Sequence, residues 1–517
     1  MAYAYKRFAY KSPPGLSGPE PRHKVVVVGA GPIGLALAIE LANHGVGSVV
    51  LDDNDMVSAG SRAICWSKRS LEILDRLGVG DRCVEKGVTW KMGRTFRGEQ
   101  EVFNFDLLPE GGHKMPAFVN LQQYYVEEFL IERAQGIDLI DLRFRNRVES
   151  VSDKGEIAEV GIATPDGHYA LQAQFVVACD GANSAVRGML GLEFEGELFE
   201  ERFLIADIEM QADFPAERWF WFEPTFHNGQ SALLHKQPDN IYRIDLQLGW
   251  DADPEVEKLP ENVVPRIQRV VGHGDFRLDW VSVYTFQCRR LREFVHNRVV
   301  FAGDSAHVVS PFGARGGNGG LQDVDNLGWK LAAVVQKRAP ATLLHSYDRE
   351  RVQAADENIL NSTRTTRFMT PADGPERVYR DAVLKLATKT PFACAWVNSG
   401  RLSRPCRYSS GGPDDPQLPS ASRPGEVSPD APIGDHWLLN DLGKCCVLLS
   451  LGQQVGEIAG AQVLTPKITP EIRDRYLGDA DAAIYLIRPD QVVSGRWLSY
   501  DAQAVSRAIA ALWEGRI

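Results

Sequence analysis

Val25-Val-Val-Val28-Gly29-Ala30-Gly31-Pro32-Ile33-Gly34 is the stretch on which the reading of this chain turns. Its β-branched run predicts a strand buried on both faces, and the glycines after it allow a tight turn into a helix from about Ile33 to Asn43. A second apolar strand, Ser48 to Leu51, completes a strand–helix–strand unit. Gly29, Gly31 and Gly34 have the G-x-G-x-x-G spacing, so bare backbone can approach a pyrophosphate resting on the N–H groups and positive end of the helix. Asp52 closes the second strand 23 residues past Gly29, the distance at which a carboxylate accepts from ribose hydroxyls. Strand, turn, helix and acid together predict a dinucleotide-binding unit.

The chain has 517 residues, enough for two to four domains of roughly 100 to 200 residues each. Apolar residues make up 44% and charged residues 24%, an ordinary globular composition. With 57 Lys and Arg against 68 Asp and Glu, the net charge of −11 argues against nucleic acid or an anionic membrane surface as a partner. The longest uncharged apolar stretch, Val25 to Ile39, is shorter than the roughly 20 residues of a membrane span. The N-terminal residues also lack the apolar core of a secretory signal, so a cytoplasmic location is expected. The eight cysteines include no C-x2-C pair and no zinc spacing; reduced, mostly structural thiols and no metal site follow.

Residues 1–23 hold Pro and Gly clusters without an apolar period and read as an arm on the surface or disordered, with no chemistry. Residues 24–200 and 296–402 read as one α/β domain split in sequence, because Arg298-Val-Val-Phe-Ala302-Gly303-Asp304 returns to the style of the first strand and a helix follows from Asp323 to Gln336. Between them, residues 201–295 carry alternating strands (FLIADIEM, ERWFWFE, SALLHK, YRIDLQL, DWVSVYTFQ) and predict an inserted antiparallel sheet. The proline-rich stretch 403–434 reads as a linker, and 435–517 as a small α/β domain.

Two later segments decide which dinucleotide is meant. Ala178-Cys-Asp180-Gly181-Ala-Asn-Ser184-Ala-Val-Arg187 resembles the D-G motif of flavoprotein aromatic hydroxylases. Gly303-Asp304-Ser-Ala-His307, followed by Pro311-Phe-Gly313-Ala-Arg315-Gly316-Gly317-Asn318, resembles their G-D motif. The motifs occur in that family's order over roughly 25–400, so the chain resembles the single-component class of p-hydroxybenzoate and phenol hydroxylases. Arg423-Pro-Gly425 and Leu486-Ile-Arg488-Pro489-Asp490-Gln491 resemble the thioredoxin-like tail of the phenol hydroxylase type. Only adjacent Cys445 and Cys446 stand there in place of C-x-x-C, so the tail is expected to pack or to support a homodimer.

The resemblance implies a Rossmann-like FAD domain of the glutathione-reductase type, an inserted antiparallel substrate domain and a thioredoxin-like C-terminal domain. It implies FAD as cofactor, NADPH or NADH as co-substrate, O2, and transfer of oxygen to a phenolic ring through a flavin C4a-hydroperoxide. The FAD contacts it implies are Gly29, Gly31, Gly34, Asp52, Arg62, Gln123 or its neighbour Gln122, Asp180, Gly303, Asp304, Gly313, Gly316, Gly317 and Asn318. It aims the Pro311 carbonyl at the substrate hydroxyl, sets Arg315 beside the flavin as field stabilisation, and directs Arg187 towards the nicotinamide cofactor. His307 is expected to buttress the turn.

Period-two alternation puts His235, Gln237 and Asp245 on one face of the inserted sheet, with Arg243 as a second partner for His235. His235 is a candidate to orient or deprotonate a phenol, Tyr284 a candidate phenol donor, and Trp221 a candidate aromatic wall. The same residues read equally well as sheet packing. A hydroxylase of polycyclic polyketides is the neighbouring reading, and a non-catalytic flavin-binding protein the third.

Overall fold

Val25 to Val28 are buried on both faces of a parallel sheet, as their branched side chains require. The computed structural model describes residues 3–516 other than 61, 228–229, 250, 399–401 and 410, with backbone alone at 198–201 and 286. Strand His23–Val28 is flanked in parallel by Ser48–Asp52 and Gly167–Ala178, with Val27 opposite Val50 and Val177. Ile140–Phe144 and Val299–Phe301 extend the sheet on either side, again in parallel. Val299–Phe301 therefore closes the first domain after the chain has left it. Helices Pro32–Asn43 and Gly316–Val335 pack on each other, and they approach closely because Gly320 and Gly328 have no side chain where Ile33 and Glu40 cross. The long helix begins at Gly316, a full two turns before the Asp323 start read from apolar periodicity, because its first turn is glycine-rich and carries no apolar stripe.

Asp323 is the pin of this domain. Its carboxylate accepts from the Gly303 N–H (2.9 Å), His307 Nε2 (2.7 Å) and Arg351 Nε (2.6 Å), with none of its surface exposed. Burial alone would raise its pKa, but His307 and Arg351 hold it down to about 2. A depressed carboxylate stabilises the fold fully above the unfolded value near 4, and that stability is lost as pH falls towards 2, about 2.5 kcal/mol in all. Asp323→Asn leaves the buried Arg351 cation with the neutral Tyr408 hydroxyl and Gly319 carbonyl in place of a carboxylate, and is expected to cost about 3–5 kcal/mol, read as a lowered urea midpoint at neutral pH. The gap between variant and wild type should narrow as the pH falls towards 2; a constant gap would refute the assignment.

The second sheet runs in the order His307–Val308, Arg277–Arg290, Glu195–Glu209, Ile241–Leu248, Ala232–Lys236, Arg218–Phe222, Met92–Arg97, Gln100–Asp106. It is not confined to residues 201–295. Two of its strands come from the first segment, and Met92–Arg97 pairs with Arg218–Phe222 in parallel, the single parallel pairing of this sheet among the described residues. Local alternation identifies a strand but not the sheet it joins, which explains the difference. One face is covered by helix Pro260–Val271, whose Val263 and Ile267 meet Leu204, Ile208, Ile244 and Leu246. The other turns towards Phe312 and helix Leu343–Met369.

Residues 3–10 are an ordered arm. Tyr3 stacks on Tyr124 at 4.1 Å, the Phe8 N–H donates to the Asp55 carbonyl (2.6 Å), and the Gly60 N–H donates to the Tyr5 hydroxyl (2.9 Å). Scattered aromatics have no period, so they look structureless until their partners are known. The stretch 403–434 is likewise docked, with Tyr408 buried and bonded to Arg351 (3.0 Å). Beyond it, Gln462–Leu464, Val447–Leu451, Ala483–Ile487 and Val493–Trp497 form a four-stranded sheet backed by helix Ala502–Trp513.

Candidate functional site

Each glycine of the first turn meets a different constraint. Gly29 has φ +104° and lies against the Cys179 carbonyl, so a side chain is excluded both by conformation and by contact. A Cβ at Gly34 would overlap the Gly29 carbonyl oxygen. At Gly31 an added Cβ would meet no protein atom within 4 Å, and its φ of −74° suits any residue. Nothing within the described residues excludes a side chain at Gly31, and the space beside it is open. Asp52 accepts from the Ala30 N–H (2.6 Å) and the Asn54 N–H (2.8 Å), which fixes its carboxylate against the turn. Burial raises its pKa against those bonds.

The opposite wall is the turn at Gly303, which has φ +68°, and the start of helix Gly316–Val335. No side chain caps this helix, and its first internal bond runs from Gly319 N–H to the Arg315 carbonyl (2.7 Å). The N–H groups of Gly316, Gly317 and Asn318 precede that bond and point out of the helix. Asp304 is buried enough to raise its pKa, and its Oδ1 lies 3.9 Å from where a Cβ of Gly316 would stand. The Asn318 side chain is locked, accepting from Ser67 N–H (2.9 Å) and donating to the Cys65 carbonyl (2.8 Å). Gly313 has φ +91° in the turn that leads in. His307 stacks on Phe294 behind that wall.

Several of the expected contact residues also bond within the protein. The Gln123 amide is used within the protein: its Oε1 accepts from Ala63 N–H (3.2 Å) and its Nε2 donates to Glu127 (2.8 Å). Its neighbour Gln122 is 1% exposed, and its amide oxygen and nitrogen both lack a partner among the described residues. Asp180 is half-satisfied, with Oδ2 accepting from Val186 N–H (3.0 Å) and Oδ1 buried without a partner. Arg315 is buried and bonds Asn358 (2.9 Å), which ties it to the following helix. The Pro311 carbonyl accepts from Ala314 N–H (3.0 Å) within its own turn. Arg187 donates to the Ala182 carbonyl (2.8 Å) and lies over Phe194. Arg62 is exposed, and its carbonyl accepts from Arg243 (3.3 Å).

On the inner face of the second sheet, Arg218, His235, Arg243, Asp207 and Trp280 stand opposite one another in a row across five strands. Cross-strand partners share a face, so these side chains are neighbours. Arg243 grips Asp207 with two bonds (2.8 and 2.7 Å), and Gln237 donates to the same carboxylate (3.0 Å). Asp245 stands one step along, opposite Leu233 and Ile205, with its Oδ1 buried and unpartnered. Burial raises the Asp245 carboxyl to about 7 against the opposing charge of Arg243 and Arg218. Burial, reinforced by Arg218 and Arg243, pushes His235 well below its ordinary pKa and keeps it neutral. Arg218 itself is lowered to about 10 by burial.

Tyr284 stands opposite Phe203 on this face, its phenol raised by burial and lowered by Arg62 and Arg243. Trp221 does not: it pairs with Ala232, points to the other face and packs on Phe96 and Phe226. Odd and even positions of RWFWF exchange faces, and Phe220 and Phe222 take the inner one. Asp207, Arg218 and Cys65 join the site without having been read from the sequence. Asp207 had a signal, an acid in phase with Phe203 and Ile205 in an apolar strand. Cys65 had none, and its Sγ lies 3.9 Å from His235 Nε2.

These residues fit a bound dinucleotide: an open space beside Gly31, three outward N–H groups at Gly316–Asn318, and two buried acceptor or amide groups at Asp180 and Gln122 that lack partners. Among the described residues no cluster of His, Cys, Asp and Glu can hold a metal ion, and no helix is long and apolar enough to cross a membrane. The family described as FAD binding domain matches residues 22–362. A flavin-dependent monooxygenase of Mycobacteroides abscessus is 30% identical over 512 residues, covering 93% of this chain and 100% of that protein. The 3-(3-hydroxy-phenyl)propionate/3-hydroxycinnamic acid hydroxylase of Mycolicibacterium smegmatis is 27% identical over 425 residues, 81% of this chain and 75% of that one. The structure of the flavin-dependent monooxygenase PieE with FAD and substrate superposes with a TM-score of 0.81 at 20% identity, covering 96% of this chain and 100% of that one.

Proposed function

The chain belongs to the FAD-binding family of flavin-dependent monooxygenases, and from that premise we propose that it hydroxylates a phenolic ring held against the Arg218, His235 and Asp245 face of the second sheet. The supporting observation is the position of Cys65. Its carbonyl accepts from Asn318 at the start of the flavin helix, and its Sγ lies 3.9 Å from His235, so one residue separates the cofactor wall from the polar face.

FAD, reduced by NAD(P)H, supplies the activated oxygen when bound. The chain's own groups do the rest. Gly29, Gly31 and Asp52 hold the dinucleotide, and the N–H groups of Gly316–Asn318 favour negative charge on the flavin pyrimidine. Asp245, poised near neutrality with an unpartnered oxygen, takes the phenol proton. Neutral His235 orients the hydroxyl, and the positive field of Arg218 and Arg243 stabilises the phenolate. Phe203, Phe220, Phe312 and Tyr284 wall off water.

The substrate reading favours a small phenolic acid, since two guanidinium groups on one face suit a molecule that carries a carboxylate as well as a phenolate. A polycyclic phenol is the second reading, because the same face continues through Phe222 to Phe368, Met369 and Leu384 as apolar surface. The test is an absorbance spectrum of the purified protein, then NAD(P)H consumption and oxygen uptake against phenols, phenolic acids and polycyclic phenols. A bound flavin with turnover and a hydroxylated product of added mass 16 from a phenolic acid is the expected result. Turnover only on polycyclic compounds selects the second reading, and bound flavin that no compound stimulates in NAD(P)H oxidation overturns both in favour of a flavin-binding role.

A further inference from the structure

The C-terminal domain meets the flavin helix in two places: Trp513, Leu512 and Cys446 pack on Trp329 and Ala333, and one buried turn supplies a polar network. Arg488, Asp490 and Gln491 are each at most 3% exposed, at the junction with the first domain. Arg488 bonds Glu350 with both terminal nitrogens (2.6 and 2.9 Å), and Glu350 in turn accepts from Asn326 (2.5 Å) and Lys330 (2.8 Å) of helix Gly316–Val335. Arg69 donates to Gln491 Oε1 (2.7 Å), to the Asp490 carbonyl (2.8 Å) and to Asp325 of the same helix (2.6 Å). Arg76 bonds the other oxygen of Asp325 (2.7 Å). The helix is therefore gripped at Asp325, Asn326 and Lys330 by side chains that the tail holds in place.

Gln491 is the unusual member. Its φ of +60° is left-handed, a strained conformation for a residue other than glycine. The side chain occupies both of its bonding ends, accepting from Arg69 and donating to the Leu439 carbonyl (2.9 Å). A glycine would relieve the backbone but remove one of the acceptors that hold Arg69. Buried ion networks also contribute little net stability compared with apolar packing, which leaves the fixing of geometry as the role for this one. Both features suit a device that fixes the position of a helix.

We propose that the turn Arg488–Gln491 is a positioning element for the flavin, acting through Arg69 and Glu350 on helix Gly316–Val335. From Asp325 to Gly316 the helix spans about 13 Å of rigid rise, so a shift at the grip moves the N–H groups of Gly316–Asn318 by a similar amount. The tail then belongs to the cofactor site although none of its residues reaches it.

The test compares Gln491→Ala with Val505→Ala, which lightens the tail core without touching the network. Gln491→Ala should weaken FAD binding by about tenfold in a fluorescence titration of apoprotein and make the bound flavin harder to reduce. Gln491→Glu keeps the acceptor for Arg69 and should restore most of the affinity and the potential. Val505→Ala should lower the melting temperature with affinity and potential unchanged. If Gln491→Ala does not fold, Arg69→Lys takes its place, since one ammonium cannot bridge Gln491, Asp490 and Asp325 at once. Affinity and potential unchanged in whichever variant folds, or shifted equally by Val505→Ala, would overturn the proposal.

Discussion

Asp245→Asn is expected to lower kcat with a phenolic substrate by about 10²- to 10⁴-fold at neutral pH, the usual share of a positioned general base. Asp245 has an unpartnered buried oxygen on the inner face and a carboxyl raised to about 7 by burial, so the wild-type rate should climb through that pH as the carboxylate forms. The Asn variant should lose this limb with KM little changed, since in the proposed complex the ring rests on Phe203, Phe312 and the arginines. Stability offers an independent reading. A carboxyl whose folded pKa is raised lets stability fall as pH rises from about 4 through 7, because the unfolded state releases the proton first. The Asn variant lacks that loss and should gain in melting temperature relative to wild type between pH 5 and pH 8. An ascending limb that survives at the same pH would place the base elsewhere, with His235 or Tyr284 next in line.

The second large effect separates ligand from scaffold within one turn. Gly31→Ala places a methyl group where no protein atom lies within 4 Å, so the fold and the melting temperature of the apoprotein should hold. That methyl intrudes on the space assigned to the pyrophosphate, and FAD affinity should fall by about 10²-fold, equivalent to about 2.7 kcal/mol. Gly34→Val drives a branched side chain into the Gly29 carbonyl, which is backbone and cannot rotate away. Helix Pro32–Asn43 must then leave its strand, and the protein should purify colourless with a markedly lower melting temperature. Equal FAD affinity in Gly31→Ala and wild type would place the pyrophosphate elsewhere.

How much of the site was legible depended on whether a residue's role is local. The turn at Gly29 could be read because its three glycines, the flanking strand and Asp52 lie within 30 residues and follow from backbone geometry. The G-D segment was legible for the same reason, as turn glycines followed by a helix start. Gln122 and Gln123 were not separable, since adjacent residues at a helix start differ only in which way the backbone turns them. The structure spends Gln123 on Ala63 and Glu127 and leaves the Gln122 amide unpartnered. The chemistry of Trp221 suits a pocket wall, but the alternation of its strand puts it on the far face.

The sequence by itself determined the parallel strand–helix–strand unit, its dinucleotide turn, the return of the chain at Val299 to the first sheet, and the class of chemistry that the ordered motifs carry. All of these rest on contacts within a short segment or on patterns repeated along one. Tertiary structure alone decided that Met92–Asp106 joins the second sheet, that Arg218, Arg243 and Asp207 form a row with His235, that residues 3–10 clasp the loop at Asp55 and Gly60, and that Arg69, bonded to Gln491 of the tail, reaches helix Gly316–Val335 at Asp325. Those pairings join residues up to 422 positions apart, as in Arg69 with Gln491, and a strand edge or a buried charge does not encode its partner locally. The partner is selected only when the whole core closes and every buried polar group must find one.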